Sequence, residues 1–90
     1  MNIEELYKVI EERIKNKDKK SYTKKLLKLG PKTIAQKIGE ETTELIIDYL
    51  KGSKKRTIEE AADVIYHLLV LLKSKKITLE EINKELSKRH

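Results

Sequence analysis

The sequence predicts an all-α fold, a small bundle of four to five helices. Apolar residues recur at three- and four-residue spacing along most of the chain. Only Gly 3 and Pro 1 are present, too few turn residues for a small sandwich or barrel. No apolar run approaches the roughly 20 residues that a membrane-spanning helix needs. A chain of 90 residues makes one domain, residues 1–90. It buries a limited core by itself, so completion of the bundle by homodimerisation is expected.

The first helix is predicted from about Asn2 to Lys15, with Ile3, Leu6, Val9 or Ile10, and Ile14 on one face. Residues Asn16-Lys17-Asp18-Lys19-Lys20 are a polar break. A short helix follows Ser21 and Tyr22, carries Leu26, Leu27 and Leu29, and stops at Gly30. Pro31 suits the first turn of the next helix, where its missing N–H costs nothing. That helix runs to about Lys51 and ends at Gly52-Ser53, and Lys54-Lys55-Arg56 reads as a basic connector. Thr57 opens a helix reaching about Ser74, whose stretch from Ala61 to Leu72 is apolar nearly all round. Such a helix is buried on more than one side, centrally or at a subunit interface. Thr78 starts the last helix, with Leu79, Ile82 and Leu86.

Composition excludes several chemistries. There is no cysteine, hence no disulfide, thiolate metal site or thiol nucleophile. The glycines stand alone at Gly30, Gly39 and Gly52, so no glycine-rich phosphate loop is present. The N-terminal residues carry no signal-peptide pattern, and a cytoplasmic location is expected. Lys+Arg 21 against Asp+Glu 15 gives a formal net charge of +6. Lys19, Lys20, Lys24, Lys25, Lys28, Lys32, Lys54, Lys55 and Arg56 cluster around the connectors, a field that attracts a phosphate-rich ligand. Nucleic-acid binding is disfavoured: there is no Phe or Trp to stack on bases, and no helix presents a continuous basic stripe.

Against this excess, the segment from Gly39 to Asp48 holds four acids and no base. Residues three and four apart share a helix face, so Lys37, Glu41, Glu44 and Asp48 form one stripe beside the apolar stripe Ile34, Ile38, Leu45 and Tyr49. The following helix repeats the pattern with Glu60, Asp63 and His67. The short link at Gly52 makes the two helices antiparallel neighbours, and Glu41-x-x-Glu44 can then face Glu60-x-x-Asp63. Carboxylates brought this close repel one another and require a cation. Hard oxygen donors select Mg²⁺ or Mn²⁺, and such a centre allows metal-assisted phosphoanhydride hydrolysis. Glu60 has a second reading, since Thr57-x-x-Glu60 matches a capping box; Thr78-x-x-Glu81 repeats that pattern and reads as a cap. Asp63, among apolar neighbours on a helix expected to be buried, needs a partner. His67 is expected as a hydrogen-bonded core or supporting residue, and Tyr66 as a packed ring whose hydroxyl reaches a partner.

With these residues in view the chain resembles the phosphoribosyl-ATP pyrophosphohydrolase family, which acts in the second step of histidine biosynthesis. The matching stretches are Ser21-Tyr22-Thr23 followed by Leu26 and Gly30, the run from Ile34 to Leu45, and the run from Glu59 to Leu72. Leu6, Ile10 and Arg13 near the start, and Glu85, Leu86 and Arg89 near the end, also fit. Thr42 stands where relatives often have alanine. The broader kin are the all-α nucleoside-triphosphate pyrophosphohydrolases of the MazG and dimeric dUTPase type, and a general enzyme of that type is the alternative reading. The resemblance implies hydrolysis of phosphoribosyl-ATP to phosphoribosyl-AMP and pyrophosphate by the stand-alone form, without the cyclohydrolase often fused to it. It implies that Glu41, Glu44, Glu60 and Asp63 hold Mg²⁺ and carry catalysis, with one carboxylate free to act as general base, and that Glu40 is an outer acid. It implies phosphate contact by Lys37, and substrate contact or loop positioning by Arg13, Ser21, Tyr22 and Thr23. A homodimer with sites near the subunit interface is likewise implied.

Overall fold

The computed structural model describes residues 1–16 and 21–90, so Lys17, Asp18, Lys19 and Lys20 of the predicted polar break lie outside the described residues. Five helices follow one another: α1 (Ile3–Lys15), α2 (Tyr22–Leu29), α3 (Pro31–Lys51), α4 (Lys54–Ser74) and α5 (Leu79–Arg89). No strand occurs among the described residues. Each helix start has a local cause. Asn2, Ser21, Ser53 and Thr78 each accept a hydrogen bond from a first-turn backbone N–H, and Pro31 opens α3. Gly30 sits between α2 and α3 at φ +99, a conformation that side chains with a Cβ rarely adopt.

The main packing unit is the antiparallel hairpin of α3 and α4. Its turn at Gly52 is tight: a Cβ there would stand 2.7 Å from the Asp48 side chain and 2.9 Å from its backbone. Helices α1 and α2 cover one side, and the core they close contains Tyr7, Ile10, Leu26, Ile34, Leu69 and Val70. The Tyr7 hydroxyl donates to the Ile77 carbonyl at 2.8 Å, tying α1 to the end of α4. Helix α5 joins through half-buried Leu79 and Ile82.

Three expectations are corrected. The helix predicted from Thr57 begins at Lys54, because Ser53 takes the cap by accepting from the Arg56 amide at 3.1 Å. Thr57 donates its hydroxyl to the Ser53 carbonyl at 2.9 Å instead of capping, so the basic trio is the first helical turn and not a connector. Three cations at a helix N-terminus oppose the helix dipole. Arg56 offsets this by pairing with Asp48, Glu59 and Glu60. The predicted core is also too generous: Ile3, Leu29 and Tyr49 are exposed, as are Ile46, Ile47, Leu50 and Ile58. In this single chain the far half of the α3–α4 hairpin has no layer above it, because α1 and α2 are too short to reach along it. Asp63, expected on a buried face, is exposed for the same reason. The radius of gyration, 14.2 Å, exceeds the about 12 Å typical of a compact chain of this length.

Helix α4 ends in a Schellman motif that the sequence does not announce. The Ile77 amide donates to the Leu72 carbonyl at 2.9 Å and the Lys76 amide to the Lys73 carbonyl at 3.0 Å. The left-handed position, normally glycine, is Lys76 at φ 59. Replacing exposed Lys76 by glycine removes that strain. Lys76→Gly is expected to raise stability by about 0.5–1 kcal/mol in denaturant unfolding; a variant no more stable than its parent would show the turn to be unstrained.

Candidate active site

The candidate side chains come together from α3 and α4 where the two helices run side by side. Glu41 on α3 and Glu60 and Asp63 on α4 each bring one carboxylate oxygen within 4.8 Å of the others. These are three of the four acids the sequence pairs across the hairpin. Glu44, the fourth, stands one helical turn beyond Glu41, in contact with Glu60.

Glu60 is the centre of this arrangement. It is only 4% exposed. Its Oε1 accepts from the Arg56 guanidinium at 2.9 Å, while its Oε2 is buried with no hydrogen-bond partner. Burial pushes the Glu60 carboxyl above the usual carboxylate range, and contact with Glu41 adds to the rise, while Arg56 opposes it. Glu44 is raised chiefly by the negative charge of Glu60. The capping reading of Glu60 is thereby excluded: its acceptor atoms face Arg56 and the other acids, and the N-cap is Ser53. The capping box at Thr78 and Glu81 does form. The Thr78 amide donates to Glu81 at 3.0 Å, which holds that carboxyl below the usual range.

A buried carboxylate oxygen without a donor, beside two further carboxylates, is costly unless a cation lies among them. The donor set is hard oxygen only, as Mg²⁺ or Mn²⁺ prefers. Glu41, Glu60 and Asp63 therefore fit a divalent ion on the evidence of their own geometry.

The aromatic segment before α3 borders this pocket. Tyr22 stacks on Tyr66, with ring centroids 6.1 Å apart. Its hydroxyl lies 2.9 Å from His67 Nε2, and burial raises its pKa against the opposing influence of Lys37. Thr23, fully buried, pairs with the Tyr66 hydroxyl at 2.5 Å. His67 and Tyr66 thus take the supporting places expected of them. Ser21 caps α2.

Three predicted residues are not brought to the acids. Lys37 pairs with Glu40 at 3.8 Å, not with Glu41. Glu40 is exposed and accepts from Gln36 at 2.9 Å on its own helix. Arg13 is exposed in the last turn of α1, and no ion pair among the described residues joins it to the pocket. Arg56, read only as one of many basic residues, is the cation that meets the cluster. Its position four residues before Glu60 was the available signal.

The family model described as phosphoribosyl-ATP pyrophosphohydrolase matches residues 3–90. A phosphoribosyl-ATP pyrophosphatase of Sulfolobus acidocaldarius is 46% identical over 87 residues, covering 97% of this chain and 92% of the relative. That of Clostridium acetobutylicum is 50% identical over 88 residues, 98% of this chain and 80% of the relative. That of Saccharolobus solfataricus is 44% identical over 87 residues, 97% of this chain and 93% of the relative. With an acid pocket suited to a divalent cation and near-full-length similarity of this degree, the chain is an enzyme and belongs to the phosphoribosyl-ATP pyrophosphohydrolase family.

Proposed function

We propose that this chain, acting as one domain over residues 1–90, hydrolyses phosphoribosyl-ATP to phosphoribosyl-AMP and pyrophosphate in the cytoplasm, as the second step of histidine biosynthesis. The observation that carries the reading is the buried, unpartnered Oε2 of Glu60 on a carboxylate that clusters with Glu41 and Asp63. Glu41, Glu60 and Asp63 hold Mg²⁺ or Mn²⁺, with Glu44 completing the four-acid set. When bound, the ion neutralises phosphate charge and makes water a better nucleophile. Glu44, exposed beside Glu60 but outside the closest trio, is the acid best placed to take the proton from the attacking water. Lys37 and exposed Tyr22 face substrate, Ser21 and buried Thr23 position the segment that carries Tyr22, and Glu40 and Arg13 act further out. Exposed Ile46, Ile47, Tyr49, Leu50 and Ile58 support a homodimer that covers the far half of the hairpin and sets the active sites near its interface.

A substrate panel tests the activity. Pyrophosphate release from phosphoribosyl-ATP is expected with Mg²⁺ and not with chelator, and it should exceed release from dUTP and the other triphosphates under the same conditions. Preference for a canonical triphosphate would transfer the chain to the general nucleotide-clearing class.

The site assignment is tested by Glu60→Gln and Asp63→Asn. Each is expected to lower kcat/KM by more than about 100-fold, the upper range for loss of a mere supporting partner of a metal ligand. The helical circular dichroism should be retained, because removing charge from a repulsive cluster does not unfold it. Normal turnover by both variants would refute the assignment.

The same cluster predicts a pH dependence of stability. Glu44 and Glu60 titrate higher in the folded chain than when unfolded. The folded state therefore binds the extra protons, and metal-free stability falls as pH rises from the ordinary carboxylate value through the raised ones. Thermal unfolding in chelator is expected to show that fall, and Glu60→Gln or added Mg²⁺ to flatten it. A slope unchanged by either would mean that the acids do not repel.

A further inference from the structure

His67 lies between the acid pocket and the aromatic segment, and its two ring nitrogens have fixed roles. Nδ1 is 2.8 Å from the main-chain carbonyl oxygen of Asp63. A carbonyl oxygen can only accept, so Nδ1 carries the proton. In the neutral imidazole Nε2 is then a bare acceptor, and the Tyr22 hydroxyl 2.9 Å away must donate to it. Tyrosine has one hydroxyl proton, and this one is committed. Whatever approaches the remaining lone pairs must itself be a donor.

The geometry holds that hydroxyl firmly. His67 is 6% exposed, and its ring stands edge-on to Tyr22 at 88° and to Tyr66 at 85°. Tyr22 is 46% exposed, so its outer side is open to ligand. Glu41 and Asp63 of the pocket and Lys37 of α3 all lie within electrostatic reach of its hydroxyl. A phosphate oxygen offers no proton and cannot pair with these lone pairs. A water or a sugar hydroxyl can.

We propose that His67 is a positioning residue that makes Tyr22 an acceptor-only hydroxyl at the rim of the acid pocket, where it takes a hydrogen bond from a hydroxyl-type donor. Two sources share that chemistry, the attacking water and a sugar hydroxyl of the nucleotide. The role within the reaction rests on the pyrophosphohydrolase reading above; the tautomer does not.

The test combines nitrogen NMR of the imidazole with a mutant cycle. At about pH 8.5, some two units above the usual histidine value, the ring of His67 should show a protonated Nδ1 and a bare Nε2, and Tyr22→Phe should shift the Nε2 resonance. A protonated Nε2 would overturn the proposal. In turnover, Tyr22→Phe and His67→Leu are each expected to lower kcat/KM by about tenfold, the scale of one hydrogen bond. The double variant should be no worse than either single one, because both remove the same contact. His67→Gln, whose amide oxygen can accept from Tyr22, should recover most of the loss. A fall in kcat identifies the water as donor, and a rise in KM the sugar hydroxyl. Additive losses, or a Tyr22→Phe enzyme at full activity, would overturn the proposal. Lack of turnover by the wild-type chain on every triphosphate of the panel would refute the enzymatic reading and the role in turnover together, while the NMR arm would still decide the tautomer.

Discussion

The structure depends on one costly placement, a carboxylate buried between two helices with only half of its acceptors satisfied. Glu60 spends Oε1 on Arg56 and leaves Oε2 without a donor, facing acids from both helices. Folding alone would favour an apolar residue at this point of the α3–α4 contact. The rest of the chain is arranged so that this placement holds. Ser53 starts α4 early enough to place Arg56 one turn before Glu60, and the tight turn at Gly52 keeps α3 alongside. Tyr66 and His67, both nearly two turns further along α4, then pin the Ser21–Thr23 segment beside the acids.

Charge is distributed to the same end. The chain carries a net +6, yet Glu41, Glu44, Glu60 and Asp63 gather at one place. A basic surface draws an anionic nucleotide inward, while the pocket repels it unless a cation is present. Under the proposed function, attraction at long range and rejection at short range would together make productive binding conditional on metal. Arg56 plays the intermediate part: half-exposed, it pairs with Glu60 and opposes the upward push on its carboxyl.

Much of this was legible in the residues. Helical spacing located the helices, and the chain's few glycines and its proline marked breaks that the structure keeps at Gly30, Pro31 and Gly52. The two acid pairs could be set facing each other because a short turn leaves α3 and α4 no alternative to lying antiparallel. Three things escaped for physical reasons. Two hydroxyls, Ser53 and Thr57, competed for one cap, and propensity alone does not choose between them. The end of α4 uses Lys76 where a glycine would have signalled the turn. Burial was misassigned between Glu60 and Asp63, because a one-dimensional pattern shows which face is apolar but not how far neighbouring helices extend over it.

The four acids and Arg56 all fall between positions 41 and 63, on one hairpin of consecutive helices. Whereas the Tyr22–His67 and Thr23–Tyr66 pairs join residues 45 and 43 apart, the contacts among the acids and Arg56 are therefore close in sequence and close a short loop at small entropic expense. In kinetic terms this is a region of low contact order, the kind that assembles in the earliest collapse of a chain. The acid cluster can thus be present in a nascent hairpin before α5 has been made. Sequence drift in α5 leaves those contacts among the acids untouched.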